Sequence, residues 1–261
     1  MLALLSPAKR LDFTKPVPLL PESEPVFARQ AGELAAVARR LAPYELSNLM
    51  HISPRLARLN HQRFRDFTSD DDAAATRPAV FGFNGDTYIG LRARDLTPDD
   101  LAYAQDHLRI LSGLYGLLRP LDGIRAHRLE MGSRLANPGG ADLYAFWGDR
   151  IRQAIDLLAA GQTEPVVVNL ASREYFRAVR AEDLKARVIT PVFKEVRQGY
   201  ARTLALWAKR ARGAMARHMI VNRIEHPGAL KDFRGGGYRY QPRLSDPDTW
   251  VFTRESEPEA G

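Results

Sequence analysis

The run His107-Leu-Arg-Ile-Leu-Ser-Gly-Leu-Tyr-Gly-Leu-Leu-Arg-Pro-Leu-Asp122, followed by Arg128-Leu-Glu-Met-Gly132, holds more polar chemistry than packing alone calls for. Leu108, Leu111, Tyr115 and Leu118 recur at helical spacing and read as a buried face. Arg109, Ser112 and Arg119 need polar partners, and Gly113 and Gly116 let another backbone or a ligand come close. The guanidinium forks of Arg109, Arg119 and Arg128 suit phosphate or carboxylate, which would make them the floor of a cleft. The alternative is that they pair with Asp106, Asp122 and Glu130 as structural bridges. Taken as a set with Lys9, Ser112 and Tyr115, they read as ligand-facing.

These residues need a frame to hold them, and three short apolar runs offer one. Residues 2–5, 79–83 and 166–170 read as strands, and each leads into a polar cluster: Ser6 and Lys9; Asn84, Asp86 and Tyr88; Asn169, Ser172, Glu174 and Tyr175. If the strands are parallel neighbours, the clusters share the carboxyl edge of one sheet, where open α/β sheets bind ligands. Tyr88, Tyr115 and Tyr175 then either stack on bases, hydrogen-bond a ligand, or serve as core rings with a polar tip. Lys9, Asp86, Glu130, Asn169, Glu174 and Tyr175 supply acids, bases and amide donors enough for chemistry on a nucleotide or phosphate ester. No residue is assigned as catalytic, because the chain has no GxSxG, P-loop, HExxH or dinucleotide fingerprint, and Gly235-Gly-Gly237 reads as a flexible turn.

The rest of the chain reads as mixed α/β. Helical spacing covers residues 27–41, 143–158 and 207–224; Pro43 and Pro54 open two further helices, the second running to Phe67. Thr97-Pro98-Asp99-Asp100 is a strong helix start, and residues 95–118 read as helix-rich. Residues 187–193 and 201–206 read as strands, residues 15–25 as an extended loop and 69–78 as a solvated one. No repeat or clean linker divides the chain, so one domain over residues 1–254 with a loose tail at 255–261 is expected.

Composition bounds the function. With 45% hydrophobic and 26% charged residues over 261 positions, the chain can bury a full core. The absence of cysteine excludes disulfides, thiol catalysis and thiolate metal sites. Six histidines are scattered without ligand spacing, so no metal and no cofactor are expected. No apolar stretch approaches the roughly 20 residues that span a bilayer, and the short apolar start lacks the flanks of a signal peptide, so a cytoplasmic location is expected. A net charge of +7 favours an anionic partner such as nucleic acid or a phosphorylated small molecule.

The order of several long motifs resembles the YaaA family of peroxide-stress proteins. The resemblance rests on Ser6-Pro-Ala-Lys9 with Leu11-Asp12, Phe83-Asn-Gly-Asp-Thr-Tyr-Ile-Gly-Leu91, the His107 and Arg128 runs, Phe146-Trp147-Gly148, Asn169-Leu-Ala-Ser-Arg-Glu-Tyr175 and Ala208-Lys-Arg-Ala-Arg-Gly213. It spans nearly the whole chain. It implies a single compact α/β domain, with a mixed sheet enclosed by helices, a basic cleft and a helix-hairpin-helix element. It further implies DNA binding through that cleft and a role in limiting free iron and DNA damage under hydrogen peroxide.

On this resemblance the helix-hairpin-helix element falls on residues 41–67, with Leu49-Met-His-Ile-Ser53 as its connection and His51, Ser53, Arg55 and Arg58 as candidate contacts. Such hairpins favour a glycine for close phosphate approach, and this connection has none, so a plain helical hairpin with a solvated basic face is the alternative. Lys209, Arg210, Arg212 and Arg217 form a second basic element on one helix, whose apolar side can pack while the other meets phosphates. The reading is therefore a monomeric, largely sequence-independent DNA-binding protein of the peroxide response. The alternative is an enzyme of unassigned reaction acting on a nucleotide or phosphorylated small molecule in the same cleft.

Overall fold

Four consecutive apolar residues, Leu2–Leu5, have no side to turn to water, so the strand they form (β1) must be covered on both faces and paired on both edges. In the computed structural model, which describes residues 1–18, 20–68, 76–161 and 164–255, β1 is buried throughout. It pairs in parallel with Leu108–Ser112 (β3) on one edge and Val166–Leu170 (β6) on the other. Beyond β3 lies the short antiparallel Gly116–Leu118 (β4); beyond β6 come Arg187–Arg197 (β7), Thr249–Glu255 (β10) and Arg239–Tyr240 (β9). Tyr200–Arg202 (β8) folds back on the end of β7, completing an eight-stranded mixed sheet. Thr76–Pro78 (β2) and Gly123–Arg125 (β5) make a separate two-stranded sheet.

Helices flank the large sheet, giving one compact α/β unit. Ala28–Ala38 (α1), Pro43–Met50 (α2) and Pro54–Arg65 (α3) come first, α2 and α3 each opening on proline. The Thr97 side chain accepts from Asp100 N and the Asp100 carboxylate accepts from Thr97 N, starting Pro98–His107 (α6). The helical residues after β5 break at Gly148, with φ at +48°, into Leu143–Trp147 (α7) and Arg150–Ala159 (α8). Arg173–Phe176 (α9) follows β6, and Ala205–Val221 (α10) packs its buried Ala208, Ala211, Met215 and Met219 inward.

Several readings of the sequence are corrected here. The His107 run is not helical beyond α6: it becomes the β3–β4 hairpin, because Leu108 is drawn into register with Ala3 of β1. Every residue of both strands is buried, so the apolar positions carry no alternation to set against the helical one. Residues 79–83 supply no strand of the large sheet. Ala79–Gly82 (α4) is a single buried helical turn, with Ala79 N bonded to Asp122 O and Val80 N to Pro120 O. A run that short and buried on all sides shows no period. The expected strand at 201–206 likewise ends at Arg202, and Ala205 already begins α10. Within the expected loop at 69–78, residues 76–78 form β2 and residues 69–75 lie outside the described residues. Glu255 belongs to β10 and not to a tail, and residues 256–261 also lie outside the described residues.

The helix Asp86–Leu91 (α5) crosses α10 at backbone contact, and two glycines make that possible. A Cβ on Gly213 would stand 1.8 Å from Thr87 O, and one on Gly90 2.0 Å from Arg210 O. Gly213→Ala is therefore expected to lower unfolding free energy by about 3 kcal/mol or to prevent folding. Gly32→Ala, in the middle of α1 with nothing within 4 Å of the added methyl, is expected to raise it by up to about 1 kcal/mol. Chemical denaturation of both variants checks the contrast.

Candidate functional site

Because β3, β1 and β6 run in parallel as neighbours, their carboxyl ends deliver Ser112, Ser6 and Ser172 to one edge of the sheet. Ser6 Oγ accepts from Ser172 N at 2.8 Å and donates to Ser172 Oγ at 3.4 Å. Tyr88 of α5 donates its phenol to Ser6 O at 3.1 Å, and Gly85 lies so close to Ala8 that a Cβ there would sit 3.0 Å from the Ala8 methyl. All three polar clusters thus meet, although the second arrives on a helix. Asn169 serves the strand end itself: its Oδ1 accepts from Ala171 N and its Nδ2 donates to Thr190.

A small recess opens beside this edge. Pro7, Ala8, Phe83 and Leu129 form its apolar walls, and Lys9, Ser112, His127, Arg128, Glu130 and Tyr175 its polar ones. Two close approaches build it. Gly113 lets the hairpin turn touch the backbone at Leu129, where a Cβ would stand 2.4 Å from the carbonyl oxygen; Gly116, with φ at +67°, sits against the Trp147 ring. The loop is held from its far side by Glu174, which accepts from Gly132 N at 3.0 Å. Within the recess the Glu130 carboxylate receives Lys9 Nζ at 3.1 Å and Arg128 Nη2 at 2.8 Å.

His127 is strongly perturbed by its burial. Its Nδ1–H donates to Arg125 O at 2.8 Å, a carbonyl being able only to accept, which leaves the lone pair on Nε2. The ring stands edge-on to Tyr115 and Phe83. Burial pushes its pKa down to about 4, so the imidazole is neutral at physiological pH. Burial also raises the Tyr88 and Tyr175 phenols, which stay protonated.

Several expected site residues are engaged elsewhere. Arg109 is buried and donates to Gln105 O and Leu108 O, with burial lowering its pKa to about 10, still protonated at neutral pH. Arg119 donates to Asp122 and Glu24 O. The expected common floor of Arg109, Arg119 and Arg128 is corrected accordingly: the buried Asp122 carboxylate holds Arg119, and only Arg128 reaches the Lys9 and Glu130 group. Tyr115 is a core ring whose hydroxyl accepts from Arg125 N. On α10, Arg217 donates to the carbonyls of Leu91, Arg92 and Asp95 and so fastens helices together, Arg210 pairs with Asp86 at 3.6 Å, Arg212 is half-buried and Lys209 is exposed. The α2–α3 hairpin turns on His51, with φ at +51°, and on Ser53, which caps α3 through Leu56 N; His51, Arg55 and Arg58 are exposed.

A wider groove, of about 1160 Å³, lies where β7, β8, β9, β10 and the start of α10 meet. Arg197, Arg202, Arg239 and Arg254 line it, with Tyr200 and Trp207. Its floor is fixed: Arg254 Nε donates to both oxygens of the buried Glu195, which also accepts the Tyr238 phenol, and the Arg254 guanidinium lies 4.3 Å from the Trp207 ring centre. Arg202 and Arg239 are exposed, and neither is paired with a carboxylate among the described residues. Sequence reasoning passed over this groove because its cations come from four separate strands. The one local signal was Arg197-Gln-Gly-Tyr-Ala-Arg202, a basic hairpin bearing an aromatic residue.

The family model described as peroxide stress protein YaaA matches residues 1–244. The chain is also similar to UPF0246 proteins. It is 48% identical to one from Ralstonia nicotianae over 256 residues, covering 98% of this chain and all of that protein. It is 51% identical to one from Caulobacter vibrioides over 254 residues, covering 97% and 99%, and 49% identical to one from Burkholderia mallei over 258 residues, covering 98% and 99%.

The state of His127 carries a pH signature. An unfolded histidine titrates near 6.5 and this one near 4, so between those values the unfolded chain takes the proton first and acid favours unfolding. Its contribution is complete above pH 6.5 and falls by about 3 kcal/mol as pH drops through 4. Unfolding free energies of the protein and of His127→Gln, measured from pH 7.5 to 4, are expected to converge as the pH falls; parallel curves would contradict the assignment.

Proposed function

We propose, from the premise that the chain belongs to the peroxide stress protein YaaA family, that it acts in the peroxide response by binding DNA without regard to sequence. The single observation that carries this reading is the arginine-lined groove between the β7–β8 hairpin, β9–β10 and the start of α10. Phosphodiester backbones are recognised by arranged cations that release condensed counterions, and such contacts need no base readout. Arg202 and Arg239 stand ready for phosphates, and Lys209 extends the charge along α10. The groove serves as the family's positively charged cleft. The α2–α3 hairpin serves as its helix-hairpin-helix element, with His51, Ser53, Arg55 and Arg58 at the backbone and the left-handed His51 in place of the usual glycine.

Iron control follows from the same contacts. Cations held loosely by DNA phosphates, ferrous iron among them, are displaced when arginines neutralise those phosphates, so covering DNA lowers the iron that can react with peroxide beside it. This role needs no metal site on the protein, which we read as a cytoplasmic monomer.

The reading is tested by titrating duplex, bubble-containing and single-stranded DNA with the protein across a range of salt. Each phosphate contact contributes about 0.9 to the slope of log affinity against log salt on duplex DNA. Arg202→Glu with Arg239→Glu is expected to weaken binding at least tenfold at low salt and to flatten that slope by about 2. Unchanged affinity and slope in a folded double variant would exclude the groove.

A further inference from the structure

We infer that the recess at the carboxyl ends of β3, β1 and β6 is a nucleotide site, separate from the groove, that takes a nucleobase inside and its phosphate at the mouth. The position is the first argument. The chain places β3 on one side of β1 and β6 on the other, so the sheet's strand order reverses at β1, and such reversal points leave a crevice beyond the strand ends. The second argument is unspent hydrogen-bonding capacity. His127 is 5% exposed and lines the recess; with Nδ1 committed to Arg125 O, its Nε2 lone pair has no partner among the described residues. Ser112, 1% exposed, accepts from Tyr115 N, and the Tyr175 hydroxyl, on a residue 8% exposed, donates to no acceptor among the described residues, which leaves both hydroxyl protons to donate.

One acceptor and two donors, set among Phe83, Leu129, Pro7 and Ala8, ask for a flat, largely apolar ring whose edge offers an N–H beside carbonyl or ring-nitrogen acceptors. A nucleobase has that edge. The recess measures about 10 Å³, the space of one water, so an entering base must widen it. Lys9 sits at its mouth, its side chain 65% exposed and, among the described residues, held only by Glu130. Such a surface pair parts at little cost, and Glu130 keeps Arg128 when Lys9 leaves. Lys9 then exchanges a carboxylate for the phosphate of the entering nucleotide. The nucleotide comes free from solution or as an unpaired residue of a DNA strand.

The imidazole ¹⁵N spectrum of the whole protein reads the site directly, because Nε2 shifts when its lone pair takes a hydrogen bond. The five common nucleoside 5′-monophosphates, their nucleosides and a short single-stranded oligonucleotide are titrated in turn. We expect saturable movement of the His127 Nε2 resonance by at least one nucleotide, with Kd below about 10 mM. Ser112→Ala and Tyr175→Phe should each weaken that binding about tenfold. The advantage of monophosphate over nucleoside should vanish in Lys9→Ala. Movement by the oligonucleotide alone assigns the strand as the source, and movement by both admits free nucleotide. The inference is overturned if no titrant moves the resonance, or if Ser112→Ala and Tyr175→Phe both leave the titration unchanged. Nucleotide binding that survives Arg202→Glu with Arg239→Glu separates this site from the groove, so either can fail alone.

Discussion

The backbone of β1 must be hydrogen-bonded on both edges, because a strand buried on all sides has no water to turn to. That requirement draws in β3 from more than 100 residues away and β6 from more than 160. Once the register is set, with Leu5 opposite Ile110 on one side and Leu170 on the other, the three chain segments that follow have no choice but to emerge together. The serine contacts between Ser6 and Ser172, the tyrosine bond onto Ser6 and the recess beside Ser112 are all consequences of that pairing. Polar side chains meet here because apolar ones were paired first.

Glycines then decide how tightly the remaining layers can close. Gly113 and Gly116 stand in the run that looked too polar for a core helix, and their role is approach: one admits the Leu129 backbone, the other the Trp147 ring. Gly90 and Gly213 do the same for α5 against α10. The outcome is that Glu130, Lys9 and His127 share one recess, while Arg217 and Arg210 secure α10 to α5 and leave Lys209 outward.

What could be read in the residues was whatever depends on local order. The bounds of β1 and β6, the proline-led starts of α2 and α3 and the Thr97 cap are set by neighbours in sequence, and all are found where the residue types place them. What could not be read depends on burial from all directions. The β3–β4 hairpin and α4 are buried on every face, so period carries no information. The arginines of the central run could belong to a ligand or to a carboxylate, and only the position of the buried Asp122 separates Arg119 from Arg128. β10 went unread for the same reason: Trp250, Val251, Phe252 and Thr253 are all buried, and a strand buried on both faces shows no alternation.

β10 is also the last described part of the chain and supplies the floor of the groove, through Thr253, Arg254 and the pairing that places Glu195 beneath them. The groove consequently does not exist until β10 has threaded between β7 and β9. A chain without β10 keeps Arg197, Arg202 and Arg239 but loses Arg254 and the strand that joins β7 to β9 beneath them. Assembly of this surface thus waits on one strand's pairing with both of its neighbours.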